Sequence, residues 1–352
     1  MKISSLMLVG FATALGVATA GAQTGTTGAA QAPAPAAKAA PAPLQLNSLD
    51  PSSRPDPFPP VNPKFFTASS PTVDTVNSFL KTLWGFDANR IWRVGAIQTT
   101  AAPGVSKVVV FVSDRSPNAK VQTMAFFVTP DGKHAIADSS GVISFGAMPF
   151  AENRKLLQNR ADGASRGAAG KDFLMVEFAD LQCPHCKEAQ STMEQLAKDF
   201  PNARIVFQSF PLAEIHPFAF KAAAYGYCVQ KQKNDAFFPY AAAVFDTQTA
   251  LTAETGDETL KNAVTKAGLD PAAIDACANT QAVKDQVNAS IKLAEDAGVD
   301  QTPVLAVNGH LMPLTQIPYE TLKTIVAYQA TLDGVNSGAA TTGLVKTPTP
   351  GK

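Results

Sequence analysis

Val73, Val76, Leu80 and Leu83 recur at helical spacing behind Thr72, a residue able to cap a helix start, and Gly85 ends the run. This predicts one amphipathic helix. The pattern then switches to extended runs, "IWRVGAIQ" from Ile91, "SKVVVFVSD" from Ser106 and "VQTMAFFVTPDGKHAIAD" from Val121. Asp131-Gly132 inside the last run signals a hairpin turn. Residues 62–160 are therefore expected to form a small α+β domain, one helix against an antiparallel sheet. It holds no cysteine, and its one histidine, His134, follows a turn, where a surface position is the ordinary expectation. Such a unit suits binding or dimerisation better than chemistry.

Beyond the Gly-rich "ADGASRGAAGKD", taken as the boundary, the pattern changes again. "FLMVEF" from Phe173 is a continuous apolar run, as expected of a central strand covered on both faces, and Glu177 breaks it with a carboxylate. A short loop leads to "CPHC", which opens a helix with Ala189, Met193, Leu196, Ala197 and Phe200 on one side. "ARIVFQSF" supplies the next parallel strand, residues 215–298 read as largely helical, "TPVLAVNGHLMPL" makes a hairpin around Asn308-Gly309, and a last helix covers Tyr319 to Leu332. The order over residues 165–333 is βαβ, helical insertion, ββα, an α/β domain.

The two ends read differently from the middle. Lys2 precedes an apolar run from Leu6 to Ala20, too short for a bilayer, and Ala20-Gly21-Ala22 follows as a cleavage pattern, so residues 1–22 are expected to be a secretory signal peptide. Residues 23–60, rich in Ala and Pro, and residues 334–352 cannot bury enough apolar surface to offset ordering and are expected to be disordered. Export, to a periplasm or beyond, follows. The chain's 352 residues, less these ends, suffice for two domains. Its 29 basic and 29 acidic residues balance, which gives no basic surface for nucleic acid.

Two of the four cysteines, Cys183 and Cys186, flank Pro184 and His185. Cys183 would lie at the helix start, where unpaired N–H groups and the positive end of the dipole favour a thiolate. Pro184 suits the first turn because no N–H is lost there. His185 can add positive charge or a hydrogen bond to the sulfur, and Cys186, a turn inside, is placed to resolve a mixed disulfide formed at Cys183. Two other readings exist. A static staple closing so short a loop removes little chain entropy, and zinc needs four ligands, whereas Cys228 and Cys277 lie far off in sequence. No metal and no cofactor is expected. Glu177 is expected to point inward, with a structural carboxylate as the ordinary reading. His216, before Pro217, reads as structural. Cys228 and Cys277, both in helical sequence, are expected to form a structural disulfide in an oxidising compartment, free buried thiols being the alternative.

"VEFADLQCPHC", "FPLAEIHPFAFKAAAYGYC" and "AEDAGVDQTPVLAVNG" occur in the order of the DsbA-like thiol-disulfide oxidoreductases, which residues 165–333 resemble. The resemblance implies a thioredoxin fold with a helical insertion and a dithiol at Cys183 and Cys186. It also implies proton transfer by Glu177 and a cis bond before Pro303 that presents the Thr302 backbone to an extended client strand. More faintly, "FFVTPDGKHAI" is similar to a hairpin of the DsbC/DsbG dimerisation domain. Pro-His between the cysteines is the oxidase-type pair, whereas Thr before the proline and an added N-terminal domain are similar to the isomerases. The expected function is introduction of disulfides into client proteins, aided by a redox partner such as a membrane oxidase or reductase. The alternatives are a dimeric isomerase or reductase and a non-catalytic client-binding chaperone.

Overall fold

The structure, a computed structural model, describes residues 56–116, 118–137 and 141–338. The expected leader, nearly all of the N-terminal spacer and most of the C-terminal tail lie outside the described residues.

Thr72 Oγ1 accepts a hydrogen bond from Thr75 N at 3.1 Å and so caps α1 (Val73–Trp84). Val76, Phe79 and Leu80 are buried, each contributing roughly 2 kcal/mol by leaving water, while Val73 in the first turn stays 39% exposed. The helix therefore buries a 76–79–80 stripe and not the one starting at Val73. It packs on an antiparallel sheet in which β1 (Arg90–Thr99), β2 (Ser106–Asp114), β3 (Gln122–Val128), β4 (His134–Ala137) and β5 (Gly141–Ser144) are neighbours in chain order. The Asp131 carboxylate organises the turn between β3 and β4, accepting from Lys133 N at 2.9 Å and meeting His134 Nδ1 at 2.6 Å. His134 is half exposed there. β5 has no counterpart in the sequence reading, because four residues alternate too briefly to stand out.

α2 (Ala151–Arg160), which the sequence reading places at the end of the first unit, packs instead on the second. Its Leu157 is 1% exposed and shares a core with Val176, Phe178, Val206 and Leu293. The expected boundary segment is also more structured than a linker, since it supplies the edge strand β6 (Ala164–Gly167). After it come β7 (Leu174–Ala179), α3 (Pro184–Asp199) and β8 (Arg204–Ser209). The insertion consists of α4 (Ala219–Gln232), α5 (Phe237–Asp246), α6 (Gly256–Lys266), α7 (Pro271–Ala278) and α8 (Gln281–Asp296). β9 (Val304–Val307), β10 (His310–Pro313) and α9 (Tyr319–Leu332) complete the domain. The sheet order is β10-β9-β7-β8-β6, with β7 parallel to β8 and the other pairs antiparallel.

All six residues of β7 are buried, which is why its sequence is apolar but for Glu177 rather than alternating. α3 and α9 cover one face through Met193, Leu196, Leu322 and Val326, and α2 and α8 cover the other through Leu157 and Leu293. The β9–β10 turn needs Asn308 at φ 47° and Gly309 at φ 91°. Gly309 also presses on α2, where an added Cβ would sit 2.4 Å from Arg154 N. The α1 end of the first domain meets α9: Tyr328 Oη donates to Lys81 O at 2.7 Å, and Phe86 packs against the α3–α9 core.

Candidate active site

β7 runs into the loop 180–183, and α3 begins at once, with Cys183 as its N-cap residue and Pro184 in its first turn. The two thiols are free and differ in setting. Cys183 is 5% exposed and Cys186 is 0% exposed. Cys183 is pulled down to about 5, chiefly by the Cys186 thiol that hydrogen-bonds it, then by the Thr302 side chain and the N–H groups of Cys186 and His185, against the upward push of burial. Burial pushes Cys186 far above the ordinary thiol range, and the charge on Cys183 adds to that. One sulfur is thus a ready thiolate at neutral pH and the other a guarded thiol.

His185 does not hydrogen-bond the sulfur through its ring. The imidazole turns outward, 3.0 Å from Glu188 Oε2, with its side chain 66% exposed. Glu188 raises its pKa, and the charge on Cys183 adds a smaller push in the same direction. What His185 brings to Cys183 is a backbone N–H, which a helix start supplies from any residue but proline.

Glu177 points inward and is 2% exposed. Burial raises its carboxyl to about 7, offset in part by a hydrogen bond from Gln190 and by the charge of Arg166. Gln190 Nε2 lies 2.8 Å from Glu177 Oε1 and 2.9 Å from Cys186 O, and so joins the acid to the backbone of the buried cysteine. Thr302-Pro303 is a cis peptide, and the Thr302 carbonyl oxygen lies 3.9 Å from Cys183 Sγ. The Thr302 hydroxyl is buried, facing the two sulfurs, with no nitrogen or oxygen partner among the described residues. Cys183, Cys186, Pro184, His185, Glu177, Thr302 and Pro303 therefore gather at one end of the sheet.

Cys228 of α4 and Cys277 of α7 are bonded to each other, S–S 2.05 Å, within the insertion and apart from the dithiol. Among the described residues, no group of three or more His, Cys, Asp or Glu side chains could hold a metal ion.

The sequence reading passes over several polar residues of the site. Gln248 Nε2 donates to the carbonyls of Leu181 and Cys183, both at 3.0 Å, tying the insertion to the active-site loop. Asp180, 1% exposed, donates its N–H to Cys186 Sγ at 3.3 Å and meets His216 Nδ1 at 2.8 Å. A carboxylate between Ala179 and Leu181 was the available signal for it.

A two-layered sheet with a dithiol at the first turn of a helix, a cis-proline beside it and a helical insertion defines a thioredoxin-type dithiol domain. Consistent with this, the family model described as Thioredoxin matches residues 162–328. The match covers residues 162–328 of the 352, just under half of the chain, and makes that stretch similar to the thioredoxin family. Among solved structures, a periplasmic thioredoxin-like protein from Salmonella enterica serovar Typhimurium is 20% identical, matching 51% of this chain and 97% of its own, with a TM-score of 0.43. The thiol-disulfide exchange protein α-DsbA2 from Wolbachia pipientis is 21% identical over 50% of this chain and 95% of its own, TM-score 0.43. Among curated proteins, a Na(+)/H(+) antiporter NhaA 1 of Salinispora arenicola is 38% identical over 58 residues, 16% of this chain and 9% of the antiporter. The NhaA 1 antiporter of Mycolicibacterium vanbaalenii is 28% identical over 145 residues, 41% of this chain and 23% of its own length. The chain thus aligns with under a quarter of either antiporter.

Proposed function

We propose that this protein is an exported thiol-disulfide oxidoreductase that passes the Cys183–Cys186 disulfide to reduced client proteins. The observation that carries the reading is the asymmetry of the two thiols, one held near 5 at a helix start and the other buried beneath it. Stabilising the thiolate stabilises the reduced form, which makes the disulfide the stronger oxidant. Export rests on the leader-like N-terminus; among the described residues no helix is long and apolar enough to cross a membrane.

In the proposed reaction a client thiolate attacks Cys183 Sγ of the enzyme disulfide, the S–S bond breaks, and the electron pair leaves with Cys186. Glu177, uncharged below about 7, gives Cys186 its proton. A second client thiolate then attacks the client sulfur of the mixed disulfide, releasing Cys183 as a thiolate and leaving the client with a disulfide. Two client thiols are oxidised and one enzyme disulfide is reduced, to be restored by a redox partner. A client strand pairing with the Thr302 backbone, 3.9 Å from Cys183 Sγ, would lie over the attacked sulfur.

Oxidation of a reduced, unfolded model protein with glutathione disulfide as the terminal oxidant tests this. Cys183→Ser should abolish turnover, and Cys186→Ser should accumulate mixed disulfides on Cys183. A wild-type protein that holds the unfolded client without changing its oxidation rate contradicts the reading and favours a chaperone.

One observation favours a second reading, a dimeric isomerase. Phe127, Ile136 and Val142 are cross-strand neighbours on the first domain's sheet, 40%, 41% and 66% exposed, beside the edge strand β5. Self-pairing there would cover apolar surface and a free edge. Sedimentation of the full chain at micromolar concentration decides it: a dimer supports this reading, and a monomer removes it.

A further inference from the structure

Cys186 Sγ is the sulfur that departs when the disulfide opens, and it lies wholly out of water. In the dithiol form its thiol hydrogen-bonds the Cys183 sulfur, and how it is held depends on the few donors aimed at it. One is the backbone N–H of Asp180, 3.3 Å away, and the direction of that N–H is fixed by what the Asp180 side chain holds. Oδ1 accepts from Gln182 N at 2.7 Å, closing the loop just before Cys183. Oδ2 accepts from Leu212 N at 2.9 Å and from His216 Nδ1 at 2.8 Å, so the carboxylate also ties down the segment after β8. The Asp180 side chain is 0% exposed, and His216, at 18%, stands between it and solvent.

The carboxylate holds the loop in the conformation that points the Asp180 N–H at Cys186. Its own negative charge, out of water, needs donors to offset it if the carboxylate is to stay in place. His216 supplies that offset and anchors the carboxylate at the same time. Glu177 cannot serve, because its partner is Gln190 on α3.

We propose that Asp180 and His216 form a positioning couple for Cys186, holding the loop N–H on its sulfur so that its thiol stays turned to Cys183 and the dithiol form is favoured. The couple touches neither client nor the attacked sulfur, and it acts through Cys186 alone. The inference rests on the oxidoreductase reading of the dithiol, but concerns how readily the pair opens rather than which client it serves. A hydrogen bond to a charged group contributes enough to change an equilibrium about tenfold.

The test is the redox equilibrium of the full-length protein with reduced and oxidised glutathione, read by thiol trapping, together with thermal stability, for His216→Ala, His216→Asn and His216→Asp. Asn keeps an N–H where Nδ1 stands, Ala removes it, and Asp replaces it with an acceptor. His216→Ala and His216→Asp should shift the equilibrium about tenfold toward the disulfide, and His216→Asn should stay within about threefold of wild type. Wild-type equilibrium in the Ala and Asp variants, even with a lowered Tm, makes the couple merely structural and overturns the proposal. So does an Asn variant shifted as far as Ala. Should His216→Ala fail to fold, the isosteric Asn and Asp variants carry the comparison. The oxidase reading fails on the wild-type value and turnover, whereas this inference fails only on the differences among variants.

Discussion

Burial holds the Glu177 carboxyl at about 7, above the ordinary 4.5, because among the described residues its ionised form has one hydrogen bond, from Gln190, to replace water. A carboxyl whose folded pKa is raised contributes stability that is fully present below 4.5 and is lost as pH rises through about 7. Glu177→Gln should therefore be no more stable than wild type near pH 4, and more stable at pH 8 by up to about 3 kcal/mol. Urea denaturation of both proteins at the two pH values measures this, and a gap that does not grow with pH contradicts a buried, shifted Glu177. The same variant should oxidise client thiols more slowly, since the acid is gone. Cys183, Cys186 and Glu177 were legible because short-range sequence places them: a two-residue spacer at a helix start and a lone acid in an apolar strand. Asp180 and His216 were not, because 36 residues separate them and only the fold brings them together. For His185 the sequence leaves charge and hydrogen bond as alternatives; the ring pairs with Glu188 and reaches Cys183 only through charge, a choice the rotamer makes.

Long apolar or periodic runs gave reliable elements, as β7, α3, α9 and the α1 cap show; four-residue strands were readable only beside a turn signal, as β4, β9 and β10 are by Asp131-Gly132 and Asn308-Gly309, and β5 and β6 have no such hairpin dipeptide joining them to a second extended run. α2 has no counterpart in the sequence reading, because Leu156 and Leu157 are its only large apolar residues, too little pattern to mark a helix or to say which core it enters. The packing makes a prediction at this scale. A truncated chain beginning at residue 148 keeps Phe150 stacked on His310 at 4.0 Å and Leu157 in the core, and should fold cooperatively. One beginning at residue 163 loses both and should be less stable by about 3 kcal/mol or more, with thermal unfolding as the measure. In the insertion, the Cys228–Cys277 bond joins α4 to α7 across 49 residues. Removing it with Cys228→Ala and Cys277→Ala should cost about 4 kcal/mol by the loop-closure estimate, while leaving Cys183 reactive. A loss under about 1 kcal/mol would show that the helices hold each other without it.

At the scale of the whole molecule, the chemistry lies in the second domain, and the first adds surface. α1 meets α9 through Tyr328 and Lys81, and the exposed row Phe127, Ile136 and Val142 lies on the first domain's sheet. With 29 acidic and 29 basic residues, the chain carries no net charge to draw a partner over long range. The sequence shows a change from one hydrophobic rhythm to another, but not how the two halves touch, since that depends on single residues such as Phe86 and Tyr328. The central claim is that the Cys183–Cys186 pair is poised as an oxidant by a stabilised thiolate. The reduction potential of the full-length protein, set against glutathione, tests it most directly. A value near the ~−120 mV of a strong dithiol oxidant is the expected result, and one near ~−270 mV, where the pair would act as a reductant, contradicts it.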